Sequence, residues 1–211
     1  MSCAEALPAG RDTEQLHDPA GDIMKKSVVL IIITSVCFLA GFGGGTAVLA
    51  DVTPGLKACR ALILQDKGYF PVVLNAIDGA EREIVMSFFL FKTNGYRSSY
   101  SDRVLAQLIR AARRGVTVKV LLERGNVPSA MIDTSNRFTA RRLEQAGIRV
   151  VFDSPRTTTH TKVAVIDRRY VIMGSHNLTS SALKYNHEIS VLIESPEMAE
   201  ETLRYIDTLC K

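Results

Sequence analysis

Apolar positions along this chain switch between two periods. Short runs rich in β-branched residues at Ala61–Leu64, Glu83–Leu90, Val116–Leu122 and Arg149–Phe152 read as strands. Longer stretches with apolar residues three and four apart, at Pro71–Ala80, Ser101–Arg114 and Thr134–Gln145, read as helices between them. Lys162-Val163-Ala164-Val165-Ile166 and Tyr170-Val171-Ile172-Met173 form a hairpin about the turn Asp167-Arg168-Arg169, followed by a strand at His187–Ile193 and a helix at Pro196–Leu209. Leu105, Leu108, Ile109 and Ala112 give the second helix an apolar face, with Arg110, Arg113 and Arg114 off it near the negative end of the dipole and Gly115 at its C-cap. Glu197, Glu200 and Glu201 suit the first turns of the last helix. Strands alternating with helices predict an α/β layered fold, a mixed β-sheet flanked by helices, over residues 51–211.

The front of the chain follows a different pattern. Ser27–Ala50 is a run of 24 residues without a charge, preceded by Lys25 and Lys26. About 20 apolar residues span a bilayer, so residues 24–50 read as a signal peptide or a transmembrane anchor, with the following domain exported. Val48-Leu49-Ala50 has the small residues of a cleavage site, and cleavage is the favoured reading over anchoring through residues 27–50. Residues 1–23 carry Glu5, Asp12, Glu14, Asp18 and Asp22 against Arg11 alone, which is no signal n-region; they read as a disordered or mis-assigned leader before Met24. The expected location is periplasmic or secreted.

Of the four cysteines only Cys59 and Cys210 lie beyond residue 50, and in an oxidising compartment they are free to pair. No C-x2-C pair occurs, so no zinc site is expected. Residues 51–211 hold 23 Lys+Arg against 17 Asp+Glu, a net of +6, compared with +4 for the whole chain. A modestly basic domain favours polyanionic partners.

The chemistry concentrates in one stretch. His160, Lys162 and Asp167 stand as H-x-K-x4-D, and Gly174-Ser175-x-Asn177 follows. Residues two apart share a strand face, so His160 and Lys162 point the same way. Gly174 would allow close approach of a ligand, with Ser175 and Asn177 offering donors. Lys162 and Asn177 can stabilise charge on an attacked phosphodiester, while neutral His160 can attack phosphorus. Attack needs an acceptor on the other ring nitrogen, and Glu188 is the candidate. The catalytic set is thus His160, Lys162, Asn177 and Glu188, with Asp167 included by its place in the motif but expected to hold the turn or a neighbouring cation. Lys162, Ser175 and Asn177 form the phosphate-binding group. His176 and His187 read as scaffolding. Ser175 has no G-x-S-x-G elbow that would make it a hydrolase nucleophile. A second histidine is the natural proton donor to the leaving group, and the chain holds a single H-x-K, so a homodimer with one composite site is expected.

These residues resemble the signature of the phospholipase D superfamily, H-x-K-x4-D followed by G-[GS]-x-N, and in particular its single-motif Nuc-type endonucleases. The match comprises His160, Lys162, Asp167, Gly174, Ser175 and Asn177, with Glu188 where the family has a downstream acid. The resemblance implies a phospholipase-D-like fold and a phosphodiesterase that works through a phosphohistidine with no metal and no cofactor. It further implies that Asp167 is mainly structural.

Two substrates remain open at this level. An exported, sequence-tolerant endonuclease acting on DNA, with RNA as a second polymer, leads; Arg156, Arg168 and Arg169 flank the motif as groove candidates. The alternative is a phospholipase D acting on headgroups at the membrane, with the aromatic run Ser87–Phe91 as its one apolar cluster, although a strand there favours core packing. A non-catalytic phosphate-binding module would need neither His160 nor Glu188.

Overall fold

The computed structural model describes residues 59–125, 131–154 and 156–210; the expectations for residues 1–58 lie outside them. Among the described residues, seven strands form one mixed sheet. In chain order they are β1 (Arg60–Gln65), β2 (Glu83–Phe88), β3 (Thr117–Leu122), β4 (Arg149–Phe152), β5 (Lys162–Ile166), β6 (Tyr170–Gly174) and β7 (Ile189–Glu194). The helices are α1 (Tyr69–Asp78), α2 (Tyr100–Arg113), α3 (Met131–Glu144), α4 (Ser180–Lys184) and α5 (Pro196–Leu209), with a 3-10 turn at Asp66–Gly68.

The spatial order is β1-β7-β6-β5-β2-β3-β4. β2, β3 and β4 are parallel, joined through α2 and α3, while β5, β6, β7 and β1 continue the sheet antiparallel. Phe88 lies opposite both Lys162 and Leu122, and Gly174 opposite Ser190. The C-terminal ends of β2, β3 and β4 therefore share one end of the sheet with the start of β5. In open α/β sheets such an end is where ligands bind.

Strand alternation divides the core in two. Ile84, Met86, Phe88, Ala164 and Ile166 pack toward α1 and α2. Val85, Val163, Val165 and Val171 pack on the other face beneath Ala199, Leu203 and Ile206 of α5. By the same parity Lys162 belongs to the α1–α2 side.

The expected elements recur with local differences. The buried stripe of α2 is Val104, Leu105, Leu108 and Ala111, so Ile109 and Ala112 sit on its shoulder. Arg114 serves a neighbour rather than its own helix: its guanidinium donates to the carbonyls of Ile77 (3.0 Å) and Asp78 (2.8 Å) at the end of α1. The β2–β5 register runs one residue past Phe88, where Phe89 N–H bonds Thr161 O at 2.8 Å; the chain then leaves the ladder, and Leu90 O accepts from Leu178 N–H at 3.0 Å. β7 begins at Ile189, since the Glu188 amide is taken by Asp66.

Cys59 and Cys210 do not pair; both thiols are free. Cys59 adjoins β1 at one edge of the sheet. Cys210 ends α5, three residues past Asp207, which bonds Lys119 of β3 at 2.9 Å. β1 and β3 are five strand spacings apart, roughly 24 Å, and a disulfide needs Cα atoms within about 7 Å.

Candidate active site

The segment carrying His160 is fastened to its surroundings. Thr159 N–H donates to Glu123 Oε2 at 2.6 Å, and the Thr159 hydroxyl donates to Asp153; both carboxylates are buried. Glu123 Oε1 also accepts from Gly125 N–H at 2.8 Å. On the other side, the hydroxyls of Ser87 and Thr161 share a 2.6 Å hydrogen bond. These anchors leave the His160 ring exposed at the end of β5.

His160 Nε2 lies 3.3 Å from Lys162 Nζ, whose ammonium also donates to His160 O at 2.9 Å. An ammonium only donates, so Nε2 accepts and the neutral ring carries its proton on Nδ1. That tautomer keeps the Nε2 lone pair on the Lys162 side. The Phe89 ring meets His160 edge-on, with centroids 4.5 Å apart, and lies 5.1 Å from Lys162 Nζ. Burial pushes the Lys162 pKa down from its ordinary value, and the Glu188 carboxylate opposes that shift.

Glu188 does not hydrogen-bond His160 within one chain. Its Oε2 accepts from the Ser175 hydroxyl and its Oε1 from Asn186 Nδ2 at 3.1 Å. Ser175, expected to bind phosphate, has its hydroxyl committed: it donates to Glu188 and accepts from Ile189 N–H at 3.0 Å. Its own N–H bonds Ile189 O at 3.0 Å. Asn177 differs, because its Oδ1 is buried without a hydrogen-bond partner among the described residues. An orphaned buried polar atom costs about 1–3 kcal/mol. The amide's two ends exchange by a half-turn, so this position can present a donor to an anion.

Gly174 is needed for a reason other than ligand approach. A Cβ there would stand 2.4 Å from Ser190 Cα and 2.5 Å from Ile189 O, so the close neighbour is the backbone of β7.

Asp167 stands apart from this group. It lies at the far end of β5, and its carboxylate accepts from the N–H groups of Glu81 (3.0 Å), Arg82 (2.8 Å) and Glu83 (3.0 Å). Burial raises its pKa, but these amides outweigh that and hold it below the ordinary carboxylate value. Asp167 and Arg168 both have left-handed backbone, with φ of 53° and 54°, and Arg169 N–H closes the turn onto Ile166 O at 3.0 Å. Two residues of that kind make the tight hairpin that the right-handed strand twist prefers. The groove candidates Arg168 and Arg169 share this far end and are engaged there. Arg168 pairs with Glu83 (2.6 Å) and Glu200 (2.8 Å), and Arg169 with Glu194 (2.5 Å). Of the three arginines, only Arg156 belongs to the loop leading into His160, where its side chain is exposed.

A family model described as "Cardiolipin synthase, PLD-like domain" matches residues 73–210, a span that holds His160, Lys162, Asp167, Ser175, Asn177 and Glu188. The chain belongs to the phospholipase D-like family. It is a family of phosphodiester-acting enzymes. A "Phospholipase D" of Rickettsia felis is 36% identical over 134 residues, which are 63% of this chain and 59% of that protein, so the match spans well under two thirds of the relative. Among solved structures, Nuc of Salmonella typhimurium, a phospholipase D family member, aligns with a TM-score of 0.61 at 24% identity over 72% of this chain and 94% of that one. NucT of Helicobacter pylori aligns with a TM-score of 0.57 at 15% identity, covering 72% of this chain and 96% of that one. Both likenesses establish the fold.

Within this family fold, three supporting residues have no motif to announce them. Asp66 is left-handed (φ 47°) and grips Glu188 from both sides: its N–H donates to Glu188 O at 2.8 Å, and its Oδ1 accepts from Glu188 N–H at 2.9 Å. The Glu188 amide, then His187, whose Nδ1 is 3.3 Å away, hold the Asp66 pKa down. Phe89 reads as core in a run whose other phenylalanines, Phe88 and Phe91, are fully buried, yet it forms the floor under His160 and Lys162. Glu123 ends a buried strand as an unremarkable acid. His176 is scaffolding: its buried ring stacks on Tyr69 at 4.1 Å, with Nδ1 2.7 Å from Ser190 Oγ and Nε2 2.9 Å from Asp66 O. The His187 side chain is fully exposed. Among the described residues no group of three or more His, Cys, Asp or Glu side chains is placed to hold a metal ion.

Proposed function

We propose that this protein is a metal-independent phosphodiesterase, a sequence-tolerant endonuclease that cleaves DNA, and RNA as well, through a phosphohistidine. The observation that carries the reading is the His160–Lys162 pair, an exposed imidazole whose Nε2 accepts from a neighbouring cation at one open end of the sheet. When Lys162 turns its ammonium onto the phosphate, the released His160 Nε2 lone pair attacks phosphorus and the P–O bond to the leaving nucleoside oxygen breaks. A second histidine donates a proton to the departing alkoxide, then takes one from the water that attacks the phosphohistidine and frees His160. Lys162 and Asn177 hold the equatorial oxygens as charge grows there.

The second histidine is the His160 of another copy, across a two-fold axis. His160 Nδ1 finds no acceptor within its own chain among the described residues, which suits a Glu188 supplied by the partner copy. A dimer would sediment at twice the 23.2 kDa chain mass, and a strictly monomeric active enzyme would refute the composite site.

A polymer substrate fits the basic charge of residues 51–211 and the names of the structural relatives Nuc and NucT. A phospholipid substrate is the second reading, favoured by the relative named "Phospholipase D". The export signal or anchor proposed for residues 24–50 would place either activity outside the cytoplasm.

The test is plasmid nicking by the full chain in excess EDTA beside a His160→Ala control. Nicking that survives EDTA and disappears in the variant is expected. Absence of nicking by a folded dimer, together with headgroup release from phosphatidyl vesicles, would transfer the function to the lipid reading.

A further inference from the structure

Two tyrosines stand almost bare at the active end of the sheet: Tyr96 is 70% exposed and Tyr185 is 72% exposed. They rim a shallow depression of about 200 Å³ whose other walls include Asn94, Ser98, Ser180 and Lys184. The Lys184 ammonium lies 4.9 Å from the Tyr185 ring centroid and 5.6 Å from that of Tyr100. Exposed aromatic faces beside a cation and hydroxyls are the components of a surface that stacks nucleobases and neutralises phosphates.

The depression is built, not incidental. The loop bearing Tyr96 is fixed from below by Asp102, whose buried carboxylate accepts from Asn94 N–H (2.9 Å) and Gly95 N–H (3.0 Å) and pairs with Arg142. Tyr96 N–H bonds Asn94 Oδ1 at 3.0 Å, and Tyr96 O accepts from Ser99 N–H at 2.9 Å. The Ser99 and Ser180 hydroxyls, 2.9 Å apart, tie this loop to α4, which ends beside Tyr185. Both segments come directly from the site: Lys92 N–H bonds Leu178 O at 2.9 Å, one residue after Asn177. Tyr185 precedes Glu188 by three residues, a reach of at most about 11 Å.

We propose that the Tyr96–Lys184–Tyr185 surface is a stacking subsite for unpaired nucleobases flanking the scissile phosphate, and that it selects single-stranded nucleic acid. The proposal rests on the nuclease reading and extends it. Bases in a duplex are stacked on one another and offer no free face, whereas every base of a single strand does. The walls favour this occupant over acyl chains, which would cover the Lys184 ammonium with hydrocarbon and offer it no anion.

The experiment uses the full chain in detergent micelles, with His160→Ala as the background so that bound strands stay uncut. Binding of a labelled oligothymidylate, and of an abasic strand of equal length, is measured by fluorescence anisotropy for Tyr96→Ala, Tyr185→Ala and the matching phenylalanine variants. Each alanine variant should weaken oligothymidylate binding about five- to a hundredfold, leave the abasic strand unaffected, and be rescued by phenylalanine. Unchanged affinity in the alanine variants would overturn the subsite, as would an equal loss on the abasic strand. Loss of retention on phosphatidylglycerol mixed micelles with unchanged oligothymidylate binding would also overturn it and mark a lipid contact. In parallel, the wild-type chain is tested for cleavage of the same oligothymidylate in EDTA. Tyrosine-dependent binding without cleavage would sink the nuclease reading and keep the subsite, and cleavage with tyrosine-independent binding would do the reverse.

Discussion

Asp167 and His160 belong to one sequence motif yet sit at opposite ends of β5, roughly 20 Å apart along the strand. The Asp167 carboxylate gathers three backbone N–H groups from the segment entering β2, so it locks the β5–β6 hairpin to its neighbour. Hydrogen bonds to a charged group contribute more than neutral ones, and Asp167→Ala should destabilise the fold by about 2–4 kcal/mol. The protein that remains folded should turn over at the normal rate. A large fall in kcat for folded Asp167→Ala at low temperature would return Asp167 to the chemistry.

Gly174→Ala should be among the most damaging small substitutions in the chain. The added Cβ would meet backbone atoms of β7, which can retreat only by breaking the β6–β7 ladder on which Ser175 and Glu188 are placed. Overpacking of this kind costs about 1–3 kcal/mol or more. Thermal melting and activity should fall together, and a variant with native Tm would show that the ladder yields more easily than its geometry implies.

Arg156 and Arg169 test where a polyanion lies. Arg156 precedes His160 by four residues, whereas Arg169 is paired with Glu194 beyond the other end of the hairpin. Arg156→Ala should weaken nucleic-acid binding and reduce the salt slope by about one contact, and Arg169→Ala should leave both unchanged. The reverse pattern in a salt titration would place the strand along the hairpin turn.

The strands and long helices were legible because each carries its own period, and the candidate site because H-x-K and G-x-x-N are spaced for one strand end. Three things were hidden. Arg168 and Arg169 appear close to His160 in sequence, but an extended strand carries them away at about 3.3 Å per residue to where glutamates pair with them. α4 has only five residues, too few to display a helical period. Asp66, Phe89 and Glu123 act on the site through tertiary hydrogen bonds and ring contacts with residues 36 to 122 positions distant, and one sequence has no signal for such pairings.

His176 supplies a pH signature of the scaffold beneath Glu188. Its ring is buried against Tyr69, and burial depresses its pKa below the ordinary value, outweighing the raising influence of Asp66 and Glu188. Nε2 faces the Asp66 carbonyl and so carries the proton of the neutral ring, while Nδ1 accepts from Ser190. A second proton would go onto Nδ1 and reverse that bond, so that the Ser190 hydroxyl accepts. Because the folded pKa is lowered, the unfolded chain binds the proton more readily. Stability from this group is therefore complete above the unfolded value of about 6.5 and declines as pH falls toward the folded value. Urea unfolding between pH 7.5 and pH 5 should show this decline in the wild-type chain. His176→Gln should be less stable at pH 7.5, where Tyr69 loses its stacking partner, and should show a flatter profile across the same range. An equally steep profile in His176→Gln would assign the acid sensitivity to another group.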